Sequence, residues 1–371
     1  MAHPTGIGSV KPQGWAYQRS PMIVYWELTN ACGLACRHCR ATAMPDPAPG
    51  ELTTAEAIAL LEDITGFGDP AAGEALPHVV MTGGDPLRRP DLAELIAAAQ
   101  DRGIGVSLAP AVTPLLTREL IFWMKDIGIQ AISLSLDGSD AARHDGVRMV
   151  PGTFDATLKA LDTAAEAGLP VQVNTLVTAA TAADLPAIHD LLSRHTLQQW
   201  SLFFLISIGR GTELTELTSG DAERVLAWAQ QLGRTSPFRV KTTEAMHYRR
   251  LGAAALLRSG KTREEVEAHP MARAFGIRDG NGIVFVSNTG DVTPSGFLPL
   301  TVGNVKESSL VSLYRDDPVL RSLRDPAQFK GRCGVCEYND WCGGSRARAY
   351  AWTGDPLESD PLCPYVPRAG R

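Results

Sequence analysis

The sequence predicts an α/β protein, a partial (β/α)6 TIM-like barrel followed by a smaller C-terminal domain. Three observations lead there. Short β-branched runs alternate six times with segments of helical apolar spacing over residues 22–235. Polar and glycine-rich turns follow the strands, the end at which an α/β barrel keeps its active site. From about Ser236 the alternation stops, and four of the chain's seven cysteines gather near its end.

Residues 1–21 read as an irregular lead-in, without the apolar core of a signal peptide. Met22 to Thr29 is β-branched and aromatic, the first strand, and it delivers a cysteine loop. Thr53-Thr-Ala-Glu56 is a capping box before apolar Ala57, Leu60, Leu61 and Ile64, which share a helix face. His78 to Thr82 is the second strand, ending in Gly83-Gly84-Asp85-Pro86; Leu92, Leu95, Ile96 and Ala99 mark a helix closed by Gly103. Strand Ile104 to Leu108 precedes helix Thr117 to Lys125. Strand Ala131 to Leu136 ends at Asp137-Gly138 and precedes a helix carrying Phe154, Leu158 and Leu161 that stops at Gly168. Strand Val171 to Val177, helix Leu185 to Leu192, strand Trp200 to Ile206 and a helix from about Asp221 to Leu232 complete the series. Strand–helix–strand repeats of this length imply parallel strands with crossover helices.

Residues 236–371 read as a second domain. Gly282 to Ser287 and Gly290 to Thr293 form a hairpin around Asn-Thr-Gly, and one helix spans Leu310 to Leu323. The end of the chain is poor enough in apolar residues to call for metal stabilisation.

The composition is that of an ordinary globular protein, 44% hydrophobic and 20% charged, with a net charge of -6. That balance argues against a nucleic-acid partner. No run reaches the ~18 apolar residues of a membrane span. Seven cysteines split three and four are not a secreted disulfide framework, and clustered thiols suit a reducing cytoplasm.

Cys32-Gly-Leu-Ala-Cys36-Arg-His-Cys39 places three thiols in one loop. Three thiolates leave one corner of a cubane cluster unligated by protein, and an open metal position is where chemistry happens. Zinc is the competing reading, with His38 as fourth ligand. The C-x3-C-x2-C spacing, on the loop after the first strand, resembles the radical S-adenosylmethionine superfamily signature. The resemblance implies a 4Fe–4S cluster on Cys32, Cys36 and Cys39, with S-adenosylmethionine chelating the fourth iron. It also implies reductive cleavage to a 5′-deoxyadenosyl radical that takes a hydrogen atom from substrate. Gly83, Gly84 and Asp85 resemble the motif that contacts the methionyl amino group, with Asp85 where Glu is usual. Ser135 and Asp137 resemble ribose and carboxylate contacts, and Arg148 the arginine paired with the methionyl carboxylate. Asn174, Leu205 and Ile206 would flank ribose and adenine.

Cys333, Cys336, Cys342 and Cys363 resemble the SPASM/twitch extension, and four thiolates can fully ligate an auxiliary 4Fe–4S cluster. The same four could instead hold zinc. A second auxiliary cluster would need cysteines near Ser295 and Arg346, so two clusters are expected in all. Trp26-Glu-Leu-Thr29, Cys39-Arg-Ala41, Thr243 to Arg250 and Cys342 to Tyr350 resemble the subgroup near haem-biosynthesis radical enzymes, of iron-coproporphyrin decarboxylase and haem d1 type. That implies net oxidation of a porphyrin-like substrate, with Glu244, His247, Arg249, Arg250, Arg346 and Arg348 as candidate substrate contacts. A flavodoxin- or ferredoxin-type reductant is implied as partner. A ribosomal-peptide maturase of SPASM type is the alternative enzyme, and a non-catalytic iron–sulfur carrier or zinc-stapled scaffold the alternative outside enzymes.

Overall fold

The computed structural model describes residues 17–69 and 74–368; most of the expected N-terminal lead-in lies outside them. Seven parallel strands form the barrel wall: β1 (Ile23–Glu27), β2 (His78–Thr82), β3 (Val106–Leu108), β4 (Ile132–Ser135), β5 (Val171–Val177), β6 (Gln199–Phe204) and β7 (Arg239–Thr243). The helices between them are α1 (Thr54–Thr65), α2 (Leu92–Asp101), α3 (Arg118–Asp126), α4 (Ala141–Arg148), α5 (Thr153–Ala167), α6 (Leu185–Leu192) and α7 (Ser219–Leu232). Beyond β7 come α8 (His247–Arg258), α9 (Arg263–Glu267), β8 (Ile283–Val286), β9 (Asp291–Thr293) and β10 (Gly303–Asn304). Four helices follow: α10 (Leu310–Asp316), α11 (Pro318–Arg324), α12 (Gly331–Gly334) and α13 (Arg346–Thr353).

Local chemistry sets these boundaries. Thr53 caps α1 in a reciprocal box with Glu56, and Thr117, Asp140 and Thr218 cap α3, α4 and α7. Gly168 closes α5 at φ 64°, where a side chain would be strained. Alternation along the strands then sorts the side chains. Val24 and Trp26 of β1, with Leu28 just after it, join Val79, Met81, Leu134, Val173 and Leu202 against the helices, in one continuous core. Ile23 and Val80, from the opposite faces of β1 and β2, pack in a smaller cluster with Tyr17 and Met22.

Three features differ from the sequence reading. Strand β7 extends the parallel wall to a seventh member beside β6, from Gln199 opposite Arg239 to Phe203 opposite Thr243. Its sequence, Arg-Val-Lys-Thr-Thr, lacks the apolar run that marks the others, because an edge strand needs little burial. Second, β8 pairs in parallel with β1 and antiparallel with β9, so the hairpin joins the barrel sheet and the sheet runs on past residue 235. Third, the expected helix over Leu310 to Leu323 is two helices. Pro318 pushes the preceding residue out of the helical region, and Asp317 (φ -61°, ψ 131°) ends α10 while capping α11.

Candidate functional site

The loop after β1 is pinned at its base before it carries any chemistry. The Glu51 carboxylate accepts from Thr29 Oγ1 (3.0 Å), Asn30 N (2.7 Å), Ala48 N (3.0 Å) and Asn288 Nδ2 (3.0 Å). Cys32 N donates to Met44 O (2.7 Å), closing the loop on itself, and Arg37 N donates to Val147 O of α4 (3.0 Å). Arg210 donates from Nε to Cys36 O (3.0 Å) and from Nη1 to Ala43 O (3.3 Å). So braced, Cys32, Cys36 and Cys39 line one cavity of about 250 Å³ at the C-terminal ends of the strands.

Each of the three sulfurs has an N–H aimed at it: Leu34 N at Cys32 (3.3 Å), Ala43 N at Cys39 (3.4 Å) and Arg148 Nη1 at Cys36 (3.6 Å). Such donors stabilise thiolate charge. Burial pushes the Cys32 thiol up to about 11, so cation binding is needed to hold it ionised. Among the described residues no three His, Cys, Asp or Glu side chains converge closely enough for a single metal ion. Three thiolates match a cubane, which takes one per iron and leaves its fourth iron open, whereas zinc would need His38 as a fourth ligand. His38 lines the same cavity, and burial, reinforced by Arg148, lowers its pKa to about 4; its Nδ1 has no hydrogen-bond partner.

The glycine pair after β2 lies directly beneath this loop. A Cβ on Gly84 would sit 2.4 Å from Ala31 O, and one on Gly83 2.6 Å from Thr29 O, so neither position admits a side chain. Gly84 N donates to Thr29 O (2.8 Å) and Asp85 N to Ala31 O (2.7 Å). Asp85 does not line the cavity. It accepts from Leu87 N (3.2 Å), Ala111 N (3.3 Å) and Thr113 Oγ1 (3.1 Å), tying the β2 loop to the β3 loop. Its role in this arrangement is to hold the turn.

Ser135, Asp137, Arg148, Asn174, Leu205 and Ile206 all line the cavity, from the ends of β4, β5 and β6 and from α4. Asp137 is ion-paired with Arg148 and accepts from Leu176 N (2.7 Å). Burial alone would raise its pKa, but Arg148, His38 and His144 outweigh that and hold the carboxyl below its ordinary value. His144 accepts from Asp137 N (3.0 Å), and burial lowers its pKa to about 4, so it is neutral. Asn174 accepts from Gln172 (2.6 Å) on the inner face of β5. Arg40, Phe203, Arg210 and Phe297 complete the wall.

Cys333, Cys336, Cys342 and Cys363 come together around a second, small cavity of about 30 Å³, shared with Arg250, Gly344 and Tyr365. Burial pushes the thiols of Cys336, Cys342 and Cys363 up to about 11, 12 and 12. Arg346 Nη2 lies 3.5 Å from Cys333 Sγ, and Arg250 grips Glu223 with two contacts of 2.6 Å.

The expected substrate contacts are placed elsewhere. None of Glu244, His247, Arg249, Arg250, Arg346 and Arg348 lines the barrel cavity. Arg346 and Arg348 are fully buried and spend their donors on the protein: Arg346 on Pro356 O and Glu358 O, Arg348 on Glu216, Glu244 O and Leu205 O. Glu244 (φ 58°) accepts from Ser345 Oγ, and burial with nearby Asp279 raises its pKa well above normal. His247 is fully buried, and desolvation lowers it to about 4. Arg249 donates to Ile277 O. Long polar side chains here cement the barrel end to the second cysteine group. Where a further cluster would need cysteines, Ser295 Oγ, Arg346 N and Ala347 N all donate to the Asp279 carboxylate.

Sequence reasoning gave no role to Arg40, Arg210, Glu51 or Asp279. Two carried a local signal: Arg40 lies in the Cys39-Arg-Ala41 motif, and Arg210 stands between Gly209 and Gly211 just after β6.

Residues 26–192 match the Radical SAM superfamily. The AdoMet-dependent heme synthase of Methanosarcina barkeri is 36% identical over 95% of this chain and 99% of its own length. The enzyme of the same name from Nitratidesulfovibrio vulgaris is 37% identical over 99% and 98%. Streptococcus suis SuiB bound to S-adenosylmethionine superposes with a TM-score of 0.70 at 16% identity, over 94% of this chain and 78% of that one, and so shares its fold. A three-thiol loop over a glycine-floored barrel cavity, in a chain this similar end to end to AdoMet-dependent heme synthases, belongs to the radical SAM superfamily.

Proposed function

We propose that this radical SAM enzyme oxidatively decarboxylates porphyrin propionates, with iron-coproporphyrin III as substrate. The observation that carries the reading is the convergence of Cys32, Cys36 and Cys39 with the ends of β2, β4, β5 and β6 on one cavity, in a chain of heme-synthase type. Cys32, Cys36 and Cys39 would hold the 4Fe–4S cluster, which with S-adenosylmethionine supplies a radical able to remove a hydrogen atom from an unactivated carbon.

The chain's own residues do the rest. Gly83 and Gly84 leave backbone at the cavity floor for the methionyl amino group. Arg148 is held by Asp137 and offers its guanidinium to the methionyl carboxylate. Ser135 and Asn174 offer hydroxyl and amide groups to the ribose. Leu34, Leu205 and Ile206, all buried, keep water from the reacting carbon. His38 and His144 stay neutral near pH 7 and add no competing charge.

Charge balance accounts for the second cysteine group. A propionate that loses one hydrogen atom and then CO2 becomes a vinyl group and leaves one electron over. A cluster on Cys333, Cys336, Cys342 and Cys363 would supply an acceptor for it. In this reading residues 22–235 carry the radical site and residues 236–371 the electron sink, and a flavodoxin- or ferredoxin-type protein of the cytoplasm supplies the first electron. Among the described residues no helix is long and apolar enough to cross a membrane.

Anaerobic incubation of reconstituted enzyme with S-adenosylmethionine, reductant and iron-coproporphyrin III tests the reading. The expected product has lost CO2 and two hydrogens per reacted propionate. Formation of 5′-deoxyadenosine with the porphyrin mass unchanged would sink the substrate assignment while leaving the radical chemistry intact.

A further inference from the structure

Three guanidiniums line the barrel cavity, and the protein holds them differently. Arg148 pairs with Asp137 and aims Nη1 at Cys36 Sγ, with its buried Nε left for a ligand. Arg210 spends Nε and Nη1 on the carbonyls of Cys36 and Ala43, bracing the cysteine loop. Arg40 differs. Its charged contact is Glu27, with Nη2 and Oε2 3.1 Å apart but off the hydrogen-bond axis. Its guanidinium otherwise sits over the Phe285 ring, Cζ 4.4 Å from the centroid, a contact that fills none of its donors. The side chain is about one-fifth exposed, on the cavity wall.

The surroundings hold that cation in place. Glu27 is an inward-facing residue at the end of β1, and Phe285 belongs to β8, which pairs with β1. Gly296 closes the third side: a Cβ there would lie 3.0 Å from Arg40 Nε and 3.1 Å from Cζ. Next to it Phe297 and Phe203, their ring centroids 6.3 Å apart, line the cavity with apolar faces. A pre-oriented planar fork beside an aromatic wall is suited to a ligand that carries a carboxylate on a flat ring.

We propose that Arg40 is the carboxylate anchor of this site, gripping a propionate-type group while the substrate ring rests against Phe203 and Phe297. This rests on the porphyrin reading above. Arg40 acts as a positioning residue: by fixing one carboxylate it decides which carbon of the substrate stands in the cavity. Binding replaces solvent at the donors that Glu27 leaves unfilled with a charge-assisted pair, while Glu27 keeps its contact with the same guanidinium.

The test is an anaerobic titration of the full-length reconstituted enzyme with iron-coproporphyrin III and with its tetramethyl ester, followed by the porphyrin absorbance band. The ester keeps the ring and masks the carboxylates. Wild type is expected to prefer the free acid by about tenfold to a hundredfold. R40Q should erase that preference, and R40K, which keeps charge but not the fork, should restore part of it. G296A leaves Arg40 in the chain but displaces its guanidinium, and should lose part of the preference too; iron content and far-ultraviolet dichroism establish that each variant is folded. Full preference retained by R40Q overturns the role of Arg40 and leaves the porphyrin reading standing. Equal binding of acid and ester by wild type overturns carboxylate anchoring by any residue. If wild type binds neither, the porphyrin reading falls, and this inference with it.

Discussion

Single side chains in this protein are valuable for where they leave charge. Asp137 is buried, Arg148 nearly so, and they answer each other across the cavity wall. Removing one charge of a buried pair strands the other, and Asp137→Asn is expected to lower unfolding free energy by about 3 kcal/mol in urea denaturation. The histidines make the opposite statement. Burial lowers His78, His144 and His247 each to about 4, so the unfolded chain binds more protons than the folded one between pH 6.5 and 4. Stability contributed by their burial is complete above about pH 6.5 and is lost as pH falls toward 4. Urea midpoints should therefore drop across that window. His78→Gln, which can still bond Ser107 (2.8 Å in the parent), should make the drop shallower. An unchanged slope would show that His78 titrates alike in both states.

Elements matter here chiefly at their ends. The turn after β2 runs against the cluster loop so closely that Gly84→Ala cannot be absorbed without moving Ala31. That substitution is expected to cut iron bound through Cys32, Cys36 and Cys39 while leaving the second cysteine group loaded, read as iron per chain. The junction between α10 and α11 depends on Asp317, whose carboxylate accepts from Val319 N (2.8 Å) and Leu320 N (3.1 Å). Asp317→Ala should cost about 1 kcal/mol, a lost cap, with no change in S-adenosylmethionine cleavage. Helical periodicity spans that junction without a gap, so the break was visible only in Pro318. Helix α4 escaped the sequence reading altogether: Ala-Ala-Arg-His-Asp-Gly-Val-Arg has no apolar stripe, and it forms because Asp140 caps it. Yet this short polar helix ends in Arg148 and presents His144 to Asp137, so an element with little core role carries much of the site.

At the scale of the whole molecule two cysteine groups are held by one continuous sheet and the segments that follow it. With both groups loaded, roughly eight irons per chain are expected, and Cys342→Ala should bring this to roughly four. That variant should still cleave S-adenosylmethionine but yield little vinyl product, since the surplus electron has lost its acceptor. Zinc in place of iron at Cys342 in the parent enzyme would overturn this account.

The sequence by itself determined the radical site's inventory. The spacing of Cys32, Cys36 and Cys39, the glycines after β2 and the alternation of strand and helix are local patterns, and local patterns are written in neighbouring residues. The family resemblance singled out Ser135, Asp137, Arg148, Asn174 and Leu205, and all five line the one cavity. Tertiary structure alone decided which charges remain available. Arg346 and Arg348 look in sequence as fit for substrate as Arg40 does, but they are consumed by carbonyls and carboxylates from segments far along the chain. Arg40 has Glu27 as its ion-pair partner but makes no hydrogen bond to it, and β8, closing beside β1, sets Phe285 beneath the guanidinium. Whether a guanidinium serves the fold or a ligand depends on partners distant in sequence, and no spacing within the chain records them.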